Sequence, residues 1–263
     1  MDTFYYAADG SVVDLHLNRE HMLVSAATLW KKNTFSLPTT LRNAASIFID
    51  SGGFSFPNGY PYTLEEYAHF IKRLSRTYPQ INYAAVIDYP FHPKKTDPEW
   101  WHQTYVDTVS EIKSYRSIID PVEFVHVLHG HTLDDYIDSI RYINLIDGFY
   151  ANLTAVGSLK RFPITTCRKI LHAIREYLGD DHRIHAFGLP LTYIRNREIF
   201  SLIDSSDSGA WRFSNEKGNW KPKTHKDKIR NYHTYHTKIN ALLTQKPTIT
   251  LADYTPQPIE ESF

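Results

Sequence analysis

Cysteine is nearly missing from this chain of 263 residues, where Cys167 stands alone. One thiol can form neither an intramolecular disulfide framework nor a Cys-rich zinc site, so disulfide-stapled scaffolds and zinc-ribbon modules are excluded and a reducing cytoplasm is the expected compartment. Net charge is missing too: 29 Lys and Arg balance 29 Asp and Glu, so any polyanionic partner has to be held by a local patch. No run approaches the roughly 18 apolar residues that a membrane span requires, and the N-terminus carries no basic stretch followed by an apolar core. The expectation is a protein with no membrane partner. Internal repeats and low-complexity segments are also absent from the sequence.

What is present is enough to build a core. With 42% hydrophobic and 14% aromatic residues, this length suits one α/β barrel, expected over residues 1–245. Residues 246–263, rich in Pro and Thr and ending in acids, read as a loosely ordered tail. Short β-branched or aromatic runs alternate with helix-like segments. Strand candidates are Phe4 to Ala8 or a segment near Met22 to Thr28, then Ser46 to Ile49, Tyr83 to Ile87, Val122 to Leu128, Gly148 to Leu153, Arg183 to Phe187 and Ser201 to Ile203. Thr63-Leu64-Glu65-Glu66 opens a helix running to about Tyr78, with Thr63 as cap and Glu66 closing a capping box. Asp97 to Ser117, Thr132 to Ile143 and Thr165 to Leu178 have apolar residues at three- and four-residue spacing, as helices packed on a parallel sheet do. This alternation predicts a (β/α)8, TIM-type barrel of a single domain, whose strand ends converge on one mouth.

Several strand candidates end in chemistry. Asp50-Ser51-Gly52-Gly53-Phe54 places a carboxylate and a hydroxyl after an apolar run and before two glycines, which lets the backbone turn sharply and approach a ligand. Tyr83 to Ile87 leads into Asp88, and Ser201 to Ile203 leads into Asp204-Ser205-Ser206-Asp207-Ser208-Gly209-Ala210-Trp211-Arg212. Between them lie Phe124 to His131, Ala151-Asn152-Leu153-Thr154-Ala155-Val156-Gly157 and His185-Ala186-Phe187-Gly188-Leu189-Pro190. In this order, from about Ser46 to Arg212, the segments resemble the tRNA-guanine transglycosylase superfamily. Its hallmarks are Asp-Ser-Gly-Gly-aromatic, a later acid for base recognition, an apolar-Gln-Gly segment, a Leu-Ala-Val-Gly loop, an apolar-Gly strand end and a final nucleophilic Asp.

The resemblance implies base exchange at C1′ of a nucleotide through a covalent carboxylate–sugar intermediate, with no cofactor and no metal. It makes Asp207 the nucleophile, with Asp204 as rival, and Asp50 the general acid/base. Asp88 would accept the donor edge of a purine, Phe54 and Phe187 would sandwich the base, and Ser51, Gly52, Gly53, His129, Gly130, Gly188 and the backbone of Leu153, Thr154 and Ala155 would complete the pocket. His129 stands where the family commonly has glutamine, and Ser158 and Ser55 replace a glutamate and a glutamine of the queuosine-type enzymes. The missing zinc cysteines and short chain are similar to the DNA-guanine transglycosylases of phages and bacterial modification islands. That implies DNA as partner, or tRNA as the alternative, a free 7-deazaguanine base as co-substrate, and the host cytoplasm for a phage-encoded chain; a homodimer or an accessory protein stays open.

A basic segment follows the last acid. Lys217, Lys221, Lys223, Lys226, Lys228, Arg230 and Lys238 face only Glu216 and Asp227, interleaved with Trp220, Tyr232 and Tyr235. Together with Arg212 it is a candidate for tracking phosphates while its aromatics stack on an unpaired base. Two other classes stay open: a metal-dependent hydrolase using His126, His129, His131 and His185 with Asp88 or Asp207, and a non-catalytic nucleic-acid-binding paralogue.

Overall fold

The computed structural model describes residues 1–8, 19–36, 39–56, 59–89, 98–212 and 224–244. Its strands are β1 (Thr3–Ala8), β2 (His21–Ser25), β3 (Trp30–Lys31), β4 (Thr34–Phe35), β5 (Ser46–Asp50), β6 (Ile81–Ala85), β7 (Glu123–Val125), β8 (Val127–Leu128), β9 (Leu153–Val156), β10 (Arg183–Ala186) and β11 (Ser205–Ser208). Its α-helices are α1 (Ala26–Leu29), α2 (Leu64–Thr77), α3 (Pro98–Glu111), α4 (Arg116–Ile119), α5 (Leu133–Ile146), α6 (Ile164–Leu178), α7 (Leu191–Ile194), α8 (Arg197–Leu202) and α9 (His225–Thr244).

Nine strands form one parallel sheet in the order β7-β6-β5-β2-β1-β11-β10-β9-β8, and β3 and β4 make a separate small hairpin. Because β7 and β8 are separated by His126 alone, the two ends of the sheet are consecutive in the chain and the sheet is a nearly closed barrel. Counted as one interrupted strand they bring the total to eight, compatible with a TIM-type barrel. Both β1 and β2 belong to the sheet, so the two N-terminal candidates are neighbouring strands.

The strand pleat sorts side chains into two cores. One set faces the barrel interior: Tyr5, Leu23, Phe48, Ala85, Val125, Val127, Leu153 and Ala155, with Tyr83 and Phe187 against them. The other set, including Phe4, Tyr6, Met22, Val24, Ile47 and Ile49, packs outward under the helices. Two sheet faces buried at once explain why these strands read as unbroken apolar runs. Interior volume is filled by rings: Phe48 lies 4.9 Å from His185, 5.5 Å from Phe187 and 5.9 Å from Tyr5. They plug the barrel and give its mouth a floor.

Helix starts follow the sequence closely. Thr63 Oγ1 accepts the Glu66 N–H at 3.1 Å while the Glu66 carboxylate accepts the Thr63 N–H at 2.8 Å. Thr132 and Asp135 make the same reciprocal box on α5.

Two strand positions differ from the expectation. Gly148 to Asn152 is irregular backbone with a bend at Ala151–Asn152, and β9 begins only at Leu153. Ser201 and Leu202 close α8, and the strand that follows is the polar run Ser205–Ser208. Its side chains are nonetheless buried, and its three serine hydroxyls are satisfied locally: Ser205 by His185, Ser206 by the Ala186 carbonyl, and Ser208 by the Ala210 N–H. The apolar residues Ile199 and Leu202 belong to α8, which packs on α6 and α7.

Candidate active site

The C-terminal ends of the parallel strands open on one cavity of about 140 Å³, lined by Leu23, Asp50, Gly53, Phe54, Asp88, His129, Gly157, Ser158, Lys160, Phe187, Gly188 and Asp207. That is the scale of a cavity that takes a small aromatic ring rather than a drug-sized ligand. A larger depression of about 440 Å³ lies at the opposite face, among Arg116, Glu123, Tyr150 and Asn152 where β7 and β9 begin. The three acids lie in the smaller cavity at the strand C-termini, the end at which barrel chemistry is built.

Asp50 ends β5. Burial is the largest influence on its carboxyl and, with the nearby charge of Asp88, raises its pKa to about 7, against a hydrogen bond from Ser25; Asp207 adds to the rise and the Gly52 backbone opposes it. The following Gly52 has φ +92°, and a Cβ there would sit 2.7 Å from the Ala27 Cβ, so the turn that presents Asp50 admits no side chain at that position.

Asp88 lies three residues beyond β6 and is the most closely held acid of the site. Ser51 and Tyr60 donate toward its Oδ1, and the Tyr60 hydroxyl reaches its main-chain oxygen at 2.6 Å. His129 Nε2 lies 2.5 Å from Oδ2. With that nitrogen donating to Asp88, Nδ1 is left facing the Ser158 hydroxyl at 3.2 Å. The His129 ring rests directly on Gly157, where a Cβ would be 2.1 Å from Cε1. His129, placed by the resemblance among the residues that complete the base pocket, does line the cavity. Both its nitrogens have protein partners, Asp88 and Ser158, and it fixes Asp88.

Asp207 points into the barrel from β11. Its Oδ1 accepts the Gly188 N–H at 2.7 Å and lies 3.4 Å from His185 Nε2, while Oδ2 has no protein partner among the described residues. Asp204 occupies the other end of the strand, where Oδ2 accepts from Arg175 at 3.0 Å and from the Ile184 N–H at 2.7 Å. It ties strand starts together, away from the cavity.

Phe54 is exposed over the mouth, whereas Phe187 is half-buried against His185 and Phe48, so the two present rings at the rim and at the floor. Ser51 is fully buried and acts on Asp88 rather than lining the cavity. Gly130 does not line it either: it admits α5, since a Cβ would meet Tyr136 at 2.7 Å.

Leu153, Thr154 and Ala155 lie within β9 below the pocket. Their backbone is committed to pairing with β8 and β10, and Thr154 turns outward to His182. From this strand the cavity takes Gly157, Ser158 and Lys160 instead. Sequence reasoning did not select Gly157 or Lys160, or the tyrosines Tyr60 and Tyr62 that carry the Asp50–Phe54 turn. The signal available was the run Gly157-Ser158-Leu159-Lys160 directly after an apolar strand.

Among the described residues no three His, Cys, Asp or Glu side chains gather as a metal-binding group. His126 turns to Asp147 at 2.7 Å, His185 to Ser205 at 2.9 Å, and His129 to Asp88. Cys167 is buried in α6 with its thiol pushed up to about 12 by desolvation, a packing residue rather than a nucleophile.

Of the basic segment, Lys226, Lys228 and Arg230 stand on the first turns of α9, and Arg230 pairs with Asp227 at 3.1 Å. Lys217, Trp220, Lys221, Lys223 and the tail 246–263 lie outside the described residues. The aromatics of α9 are not available to a base: Tyr232 is buried against Tyr6 and Trp211, and Tyr235 packs on Phe4. Arg212 donates from Nε to the Ala7 carbonyl at 2.9 Å and lies over the Trp211 ring, joining β1 to the turn after β11. Among the described residues no helix is long and apolar enough to cross a membrane.

No protein-family model matches the chain, and no curated protein matches it at a significant level.

Proposed function

We propose that this protein is a guanine transglycosylase that exchanges guanine in a polynucleotide, preferably DNA, for a 7-deazaguanine base. The observation that carries the reading is the convergence of Asp50, Asp88 and Asp207 with Phe54 and Phe187 on one ring-sized cavity at the strand C-termini. Each acid has the environment its role needs. Asp207, anchored through Oδ1, attacks C1′ with Oδ2 as the bond from C1′ to guanine N9 breaks; the carboxylate–sugar ester keeps the sugar on the enzyme. Asp50, with a pKa near 7, supplies the proton that the departing base takes up. It then removes the N9 proton of the incoming base, whose attack on C1′ expels Asp207 and restores the original configuration.

Asp88 faces the donor edge of the purine. One acceptor site, on Oδ2, remains beyond those used by Ser51, Tyr60 and His129, and the clamp those residues form keeps its orientation fixed while bases exchange. Phe187 supports the ring from the barrel floor. A guanine within a duplex is hidden, so the target nucleotide enters flipped out of the stack or from an opened strand.

The test is nucleoside mass spectrometry on DNA and tRNA from cells that express the protein with a deazaguanine supply. Deazaguanine in DNA is the expected result. Its accumulation only in tRNA transfers the substrate to RNA, and its absence from both, with the protein folded and present, overturns the reading.

A further inference from the structure

The cavity has an acidic lining and its substrate, on the reading above, is a polyanion. Asp50, Asp88 and Asp207 share a wall that repels phosphate, and the chain as a whole has no net positive charge to offset it. Lys160 is the sole lysine or arginine among the described residues that line the cavity. It stands in the short turn Leu159–Arg161 after β9, exposed, with its Nζ 5.1 Å from the centre of the Phe54 ring; the Arg161 guanidinium lies 5.5 Å from the same ring. Among the described residues no carboxylate lies within ion-pair distance of Lys160.

Topology gives this contact its meaning. Phe54 follows β5 and Lys160 follows β9, and between those strands the barrel places β6 and the interrupted strand β7–β8. The Phe54–Lys160–Arg161 contact therefore bridges the mouth above the strand ends that present Asp88 and His129. A base entering under the bridge to meet Asp88 has its sugar toward Asp207 and its phosphates at the rim. A large apolar ring exposed beside two cations, at the edge of a ring-sized cavity, has the composition of a single-strand nucleic-acid seat: cations for the backbone, an aromatic face for a base.

We infer that Lys160 and Arg161, held against Phe54, bind the phosphodiester next to the reacting nucleotide and set the register of the polynucleotide on the barrel mouth. The inference rests on the polynucleotide reading above but concerns where the strand is gripped, at the β9 turn rather than on α9.

The experiment is the binding of a fluorescent single-stranded oligodeoxynucleotide across a salt series, for wild type and for Lys160→Glu, Arg161→Glu and the double variant, with folding checked by thermal melts. Loss of each phosphate contact should lower the slope of log K against log salt by about 0.7 and weaken low-salt binding at least tenfold in the double variant. Deoxyguanosine, which has no phosphate, is the control ligand. A slope unchanged in the double variant overturns the inference, as does equal weakening of oligonucleotide and deoxyguanosine, which would move the effect into the pocket. Labelled-guanine exchange by the wild type separates the two claims. A slope change without any exchange supports the grip and removes the transglycosylase reading; exchange with an unchanged slope does the reverse.

Discussion

Asp50 is the residue whose environment makes the sharpest demand. Its pKa rises from 3.8 to about 7 through burial and the charge of Asp88. Between those values the folded state keeps a proton that the unfolded chain has lost, so stability falls as pH rises through this window and the full penalty is present above about pH 7. Asp50→Asn removes the penalty. It should melt higher than wild type, with a larger gain at pH 8 than at pH 5; melts in both buffers check this, and a gain that does not grow with pH contradicts the environment described. Asp88 behaves differently because it is tied by Ser51, Tyr60 and His129. Asp88→Ala should weaken binding of the free base by about 1.5–3 kcal/mol, the range of a charge-assisted hydrogen bond, measurable by calorimetry. His129 acts through Asp88, so His129→Gln, which keeps a donor, should retain more base affinity than His129→Ala.

At the scale of elements, the turn after β9 is as informative as the acids. Gly157 gives the His129 ring its place, and a Cβ at 2.1 Å cannot be accommodated without moving a buried imidazole. Gly157→Ala should cost about 1–3 kcal/mol of stability as an overpacked site and weaken base binding in parallel; denaturant unfolding and base titration read the two effects. Much of the fold at this scale was legible. The apolar run Ser46 to Ile49 followed by two glycines and the Thr63/Glu66 box are local patterns whose physics does not depend on distant partners. The strand β11 was not legible, because Ser-Ser-Asp-Ser is buried only through partners from β10 and the turn after it, while the apolar Leu202 beside it belongs to a helix. The same limit hid the role of His129. An imidazole between an acid and a serine forty-one and twenty-nine residues away reads, in sequence, as a residue facing a ligand.

For the whole molecule, the barrel gathers at one mouth acids that are 38 and 119 residues apart, from Asp50 to Asp88 and from Asp88 to Asp207. The interior rings beneath them hold the floor, and parallel strands direct all the ends to the same face. Aromatic stacking that the sequence suggested for α9 is spent instead on the outer core, where Tyr232 and Tyr235 fasten the helix to β1. The acids lie inside the mouth and Lys160 and Arg161 stand at its rim against Phe54. The central claim is that Asp207, and not its neighbour Asp204, carries the sugar. It is tested most directly by incorporation of labelled guanine into an oligodeoxynucleotide by wild type, Asp207→Asn and Asp204→Asn, each shown to be folded. The account predicts that Asp207→Asn binds the oligonucleotide but incorporates no label, while Asp204→Asn melts lower, having lost its bond to Arg175, and still incorporates it. Near-normal incorporation by Asp207→Asn would contradict it.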